Sequence, residues 1–164
     1  MIIAIDPGSA ESAWCALEGD KPIAFGKEPN SELLIRLRRQ WSPLDGADFL
    51  AVEMIASYGM PVGREVFETC LWIGRYIEAW ERRSGKFKLV YRKDVKVFHC
   101  ESTRANDANI RAALLDRYGP GRDKAVGTKR APGPLYGLKG DCWAALAVGL
   151  TIHGRPALAL GVAA

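Results

Sequence analysis

Three carboxylates in this sequence stand where a folding chain rarely accepts a charge. Asp6 closes the apolar run Met1-Ile2-Ile3-Ala4-Ile5 and is followed at once by Pro7-Gly8-Ser9. Glu53 closes a second run, Phe49-Leu50-Ala51-Val52, and Asp141 opens the apolar stretch Trp143-Ala144-Ala145-Leu146-Ala147-Val148. Acidic side chains are almost never fully buried unless they are paired or bind a metal. Taken singly, a strand-end Asp before Pro-Gly is also an ordinary turn residue, and an Asp at a helix start an ordinary cap. Taken together, three acids at the ends of core elements describe a site assembled by folding, with the chemistry of a hard cation. Two-metal hydrolysis of a phosphodiester needs such carboxylates, holding two cations about 4 Å apart. Mg²⁺, two per site, suits an all-oxygen donor set, with Mn²⁺ as its alternative.

Local patterning predicts the elements that must carry these acids. Residues 1–6 form a buried strand, and 9–17 and 21–26 two more joined by the Gly19-Asp20 turn. A helix over 31–41 presents Leu33, Leu34, Leu37 and Trp41 on one face, capped by Asn30 or Ser31 and stopped by Ser42-Pro43. A strand at 47–53 precedes a long helix over 64–83 with Val66, Cys70, Ile73, Ile77 and Trp80 in one stripe. A strand at 87–91 and helices at 92–98 and 105–118 follow. Residues 119–138, rich in Gly, Pro and basic side chains, show little periodicity, and a last helix begins near 139 or 140 with Asp141 in its first turn. One α/β domain over residues 1–164 is expected. The order resembles the RNase H-like fold, a mixed β-sheet of about five strands flanked by helices. In that fold the first strand and the strand after the first helix are neighbours, which would place Asp6 beside Glu53.

Composition narrows the class. At 48% hydrophobic and 26% charged residues, the chain reads as soluble and globular, with no apolar stretch long enough for a membrane span and no signal peptide. Cys15, Cys70, Cys100 and Cys142 lie far apart, without a C-x-x-C pair and with only two histidines, which argues against a zinc cluster or a disulfide framework. Reduced thiols in a cytoplasmic protein fit better, with Cys70 and Cys142 as core packing residues. The net charge of +4 is unevenly spread: 14 Lys/Arg face 5 Asp/Glu between Arg82 and Arg130, and the rest of the chain is net negative. A basic surface beside an acidic site suits a polyanion, although a solvated basic face has the same composition. Charge alone does not separate DNA from RNA.

Four segments, in order, carry a more specific resemblance. Ile3-Ala4-Ile5-Asp6-Pro7-Gly8-Ser9, Ala51-Val52-Glu53, Arg92-Lys93-Asp94-Val95-Lys96 with Arg104 to Arg111, and Gly140-Asp141-Cys142-Trp143-Ala144-Ala145-Leu146-Ala147 are similar to the motifs of the RuvC-type Holliday junction resolvases. The resemblance implies a magnesium-dependent endodeoxyribonuclease acting on four-way DNA junctions as a homodimer, with Asp6, Glu53 and Asp141 as catalytic metal ligands. It makes Lys93 and Lys96 phosphate contacts near the scissile bond. Arg104, Arg111, Lys129, Arg130 and Lys139 would flank them, and Lys139 could also stabilise the transition state. The short chain and the loop from Lys129 to Gly137 look like a phage or prophage variant. His99 and His153 read as structural or exposed rather than catalytic, since this chemistry needs no imidazole.

Two departures from that pattern stand out. Many resolvases of the family carry two metal-site residues one turn apart in the last helix; here Asp141 matches the first and the second position is Ala144. Glu65 or Glu68 would then supply a fourth ligand. The aromatic wedge that follows the second acid falls on Ala56, leaving Tyr58 or Met60 to stack on bases. Two other functions fit the same residues: an RNase H-like nuclease for RNA or branched DNA, and a catalytically weak junction-binding protein. An actin-like ATPase shares the Asp-Pro-Gly opening but needs two lobes and a second phosphate loop.

Overall fold

Strand β1 (Ile2–Asp6) runs through the centre of the molecule, and Ile3, Ala4 and Ile5 are wholly inaccessible. Its apolar run is continuous because both faces of the strand are covered. The computed structural model describes residues 1–39, 46–57, 59–83 and 85–154. One five-stranded sheet, ordered β3-β2-β1-β4-β5, holds β2 (Glu11–Glu18), β3 (Lys21–Pro29), β4 (Phe49–Met54) and β5 (Lys86–Tyr91). β1 pairs antiparallel with β2 and parallel with β4, and β4 runs parallel with β5. The mixed sheet expected of an RNase H-like fold is therefore present, with Asp6 and Glu53 at the same end of neighbouring strands.

Alternation along the strands divides the core in two. Ile3, Ile5, Trp14, Ala16, Leu50 and Val52 face α1 (Asn30–Arg39) and α2 (Arg64–Glu81). Ala4, Ala13, Cys15, Leu17, Ala51 and Val90 face α3 (Arg92–Cys100), α4 (Asp107–Tyr118) and α6 (Cys142–Gly154), with the short α5 (Arg122–Ala125) beside them. From Cys142 to Ile152 every residue of α6 except Ala144 is buried, as expected of a helix that is apolar all round. Gly149 lets it press onto the sheet: a Cβ there would lie 2.4 Å from Leu17 Cδ1 and 3.0 Å from Ala4 Cβ.

Several details differ from the sequence expectation. α6 begins at Cys142, so Asp141 precedes the helix, its carbonyl accepting from the Ala144 and Ala145 amides. The buried stripe of α2 is Thr69, Ile73, Tyr76, Ala79 and Trp80, while Val66, Cys70 and Ile77 lie half-buried at its margin. α5 and a Gly127–Pro132 bridge order part of the basic segment that showed no periodicity. Trp41 and the Ser42-Pro43 stop lie outside the described residues. Asn30 turns its carboxamide inward rather than capping α1.

Candidate active site

The register places the first two acids. Asp6 stands opposite Ala13, and Glu53 opposite Val90, both partners belonging to the core beneath α6. Cross-strand partners share a face, so Asp6 and Glu53 leave the sheet on the α6 side. The chain entering α6 brings Asp141 to the same place. All three acids line one cleft of about 500 Å³, together with Arg92, Asp107 and Ala144.

The turn that follows Asp6 is held by a buried polar network. Ser12 Oγ donates to Asn30 Oδ1 at 2.6 Å, and the Tyr76 hydroxyl donates to the same oxygen at 2.9 Å. Asn30 Nδ2 donates to the Gly8 carbonyl at 2.9 Å, and the Gly8 amide donates to Ser12 Oγ at 3.3 Å. Ser12, Asn30 and Tyr76 are at most 1% exposed, so these bonds work in a dry interior where an unmade one costs about 1–3 kcal/mol. Glycine is required at position 8 by space: a Cβ would lie 2.4 Å from the Glu11 carbonyl oxygen. The backbone that carries Asp6 is thereby fixed to β2, α1 and α2 at once.

Electrostatics in the cleft are unbalanced. Burial, then the negative charges of Glu53 and Asp141, push the Asp6 carboxyl up to about 7, with Arg92 pulling the other way. Among the described residues, no hydrogen bond or ion pair reaches that carboxylate. Burial also raises Glu53, against the Arg92 guanidinium 3.4 Å from its Oε2. Arg92 reaches on to Asp107 Oδ1 with its other terminal nitrogen. Asp141 is drawn outward to Lys27, at 2.8 Å, which also lies 3.6 Å from Glu11. The acids consequently share a cleft without converging: among the described residues, no three His, Cys, Asp or Glu side chains stand close enough to hold one ion. The donor set is nevertheless all oxygen, and among the described residues the half-buried Asp6 makes no ion pair, which suits a hard divalent cation.

The other residues singled out from the sequence divide. Arg111 lines the cleft with its guanidinium 4.6 Å over the Trp143 ring. Lys139 stands on the adjoining rim with Lys27 and Asp141. Lys93 is exposed and Lys96 half-buried on α3, and Arg104, Lys129 and Arg130 are exposed, none of them lining the cleft. Ala56 lines a groove shared with Asp6, Glu53 and Arg92, Met60 is exposed, and Tyr58 lies outside the described residues. His99 bonds to the Ala147 carbonyl at 3.0 Å and His153 pairs with Asp20, both away from the acids. Glu65 and Glu68 are not the missing ligands. They ride on α2, which packs the opposite face of the sheet, and Glu68 is engaged by Arg64 at 2.6 Å.

Sequence reasoning passed over Arg92, Lys27 and Asp107. Arg92 offered a signal, since it directly follows β5, and Asp6 and Glu53 stand at the same end of β1 and β4. Asp107 offered another, since Asn106 and Asn109 form the reciprocal cap that fixes a helix start there. Lys27, on an exposed position of β3, offered none.

Two solved structures share this arrangement of elements. Thermus thermophilus RuvC superposes with a TM-score of 0.65 at 16% identity, over 96% of this chain and 96% of that one. The same protein in complex with a Holliday junction substrate gives 0.65 at 18% identity, over the same shares. The chain has the RuvC fold. No family model matches the sequence, and no curated protein does. The RuvC fold accounts for the mixed sheet and for the helix that closes over it at Asp141. Among the described residues, no helix is long and apolar enough to cross a membrane.

Proposed function

We propose that this protein is a divalent-metal-dependent endonuclease that resolves four-way DNA junctions by paired phosphodiester hydrolysis. What supports this reading is that Asp6, Glu53 and Asp141 line one cleft of a RuvC fold. Asp6, Glu53 and Asp141 would hold Mg²⁺, which when bound activates water and stabilises charge on the leaving oxygen. The chain itself contributes the rest. Arg92 offsets carboxylate charge at the cleft floor, and Arg111 and Lys139 offer cations to a phosphate entering from the rim. Lys93, Lys96, Arg104, Lys129 and Arg130 give the flanking surface its attraction for a nucleic-acid backbone. Tyr58 or Met60 would serve as the stacking residue.

The test is incubation with end-labelled four-way, three-way, flap and duplex DNA, with and without Mg²⁺. Symmetric paired nicks in the four-way junction, dependent on the metal, are expected. Faster cutting of flaps or RNA–DNA hybrids would instead favour a general RNase H-like nuclease. Tight junction binding without nicks in Mg²⁺ or Mn²⁺ would make the chain a binding protein.

Paired nicks call for two active sites, and α2 supplies a surface for a second copy. Phe67 and Leu71, one turn apart, are 62% and 70% exposed, with Met60 at 72% just ahead of them. Burying a large apolar side chain stabilises by about 2 kcal/mol, so a symmetric contact through this helix would gain from each copy. Leu71→Glu should therefore sediment as a monomer and nick junctions singly. A variant that still sediments as a dimer would move the interface elsewhere.

A further inference from the structure

We propose that Asp107 is the fourth carboxylate of the metal centre, supplying from α4 the oxygen ligand that Ala144 cannot supply from α6. The inference rests on the metal-dependent reading above and says which residues complete the site.

The placement is built into the fold. Asn106 accepts from the Asn109 amide at 3.0 Å while Asn109 Oδ1 accepts from the Asn106 amide at 3.0 Å, so the first turn of α4 is fixed at both ends. Ile110 and Leu114, three and seven residues on, are buried in the core beneath α6 and also line the cleft. That spacing puts Asp107 on the same helical face, at the cleft end. Its carboxylate is largely exposed, at 83%, and so retains open oxygen positions.

A cation already joins it to the acids of the sheet. Arg92 spans the gap between them, one terminal nitrogen on Glu53 and the other on Asp107. Ala144 lines the same cleft from α6 with a methyl group, which neither competes for the ion nor ligates it. Asp107 thus brings a fourth carboxylate to the cleft that Asp6, Glu53 and Asp141 line.

The rival role for Asp107 is merely to hold Arg92, and the two predict different signs. Binding of Mn²⁺ to the full-length protein, followed by calorimetry without DNA, separates them. Asp107→Asn should weaken binding by about tenfold or more, as losses around metal ligands do. Arg92→Met removes a competing cation and should leave binding unchanged or tighter. The double variant should bind as weakly as Asp107→Asn. If Asp107→Asn binds like the parent, or the double variant binds like Arg92→Met, the assignment of Asp107 fails. Asp6→Asn is the control for the underlying reading. Loss of binding there with none at Asp107 overturns the fourth ligand alone, whereas parental binding in Asp6→Asn overturns the metal centre itself. Asparagine at an exposed first-turn position keeps the helix start, and circular dichroism checks the fold of each variant.

Discussion

Asp6→Asn should nick four-way junctions about a thousandfold more slowly than the parent, or worse, and should bind them at least as tightly. A thousandfold corresponds to about 4 kcal/mol of barrier. That is in keeping with the loss of a ligand on which both the activation of water and the neutralisation of developing charge depend. On the proposed reading binding should survive, because the phosphate backbone would meet the basic surface and a neutral amide removes one negative charge from its path. Glu53→Gln should behave alike, since Glu53 stands at the end of the adjacent strand in the same cleft. Asp141→Asn should also abolish cleavage, while releasing Lys27 from its 2.8 Å partner. Single-turnover rates in Mg²⁺ and gel shifts in Ca²⁺ read the two effects separately. Full activity of any one variant in Mg²⁺ would remove that residue from the site.

The three acids were legible because each interrupts an apolar run, and burial makes such interruptions expensive. The sheet was legible too: continuous apolar runs at 2–5 and 49–52 mark strands covered on both faces, and these proved to be a parallel pair. The rest depended on packing between distant segments, which no local pattern encodes. Glu65 and Glu68 were plausible ligands by type, but α2 covers the face of the sheet turned away from Asp6. Arg92 and Asp107 are two charges in a segment full of them, and their meeting with Glu53 depends on α4 packing beneath α6. The Ser12–Asn30–Tyr76 network draws on β2, α1 and α2, so its members read singly as a strand serine, a cap and a core tyrosine. Asp141 was found as a residue, while its position one step ahead of the helix followed from the carbonyl that α6 uses to begin.

Without metal, the protein should lose stability as pH rises from about 4 to about 7, and Asp6→Asn should flatten that slope. The carboxyl of Asp6 moves from its ordinary 3.8 to about 7 on folding. Between those values the folded chain keeps a proton that the unfolded chain has released. Stability falls with pH wherever the folded state binds more protons, so the loss accumulates across this window and levels off above about 7. A shift of this size sets an upper bound of about 4 kcal/mol. Glu53, also raised, adds in the same direction. His99 opposes it, because its ring is held below the ordinary 6.5 by burial and folding therefore gains as pH rises towards that value. The difference between parent and Asp6→Asn cancels His99 and isolates Asp6. Urea unfolding in EDTA at several pH values from 4.5 to 7.5, as test conditions, measures it, and parallel curves for the two proteins would sink the argument. A divalent cation bound in the cleft would add positive charge beside Asp6. Mg²⁺ added at the upper end of the range should therefore restore stability to the parent, by mass action on the folded state, and do so far less in Asp6→Asn.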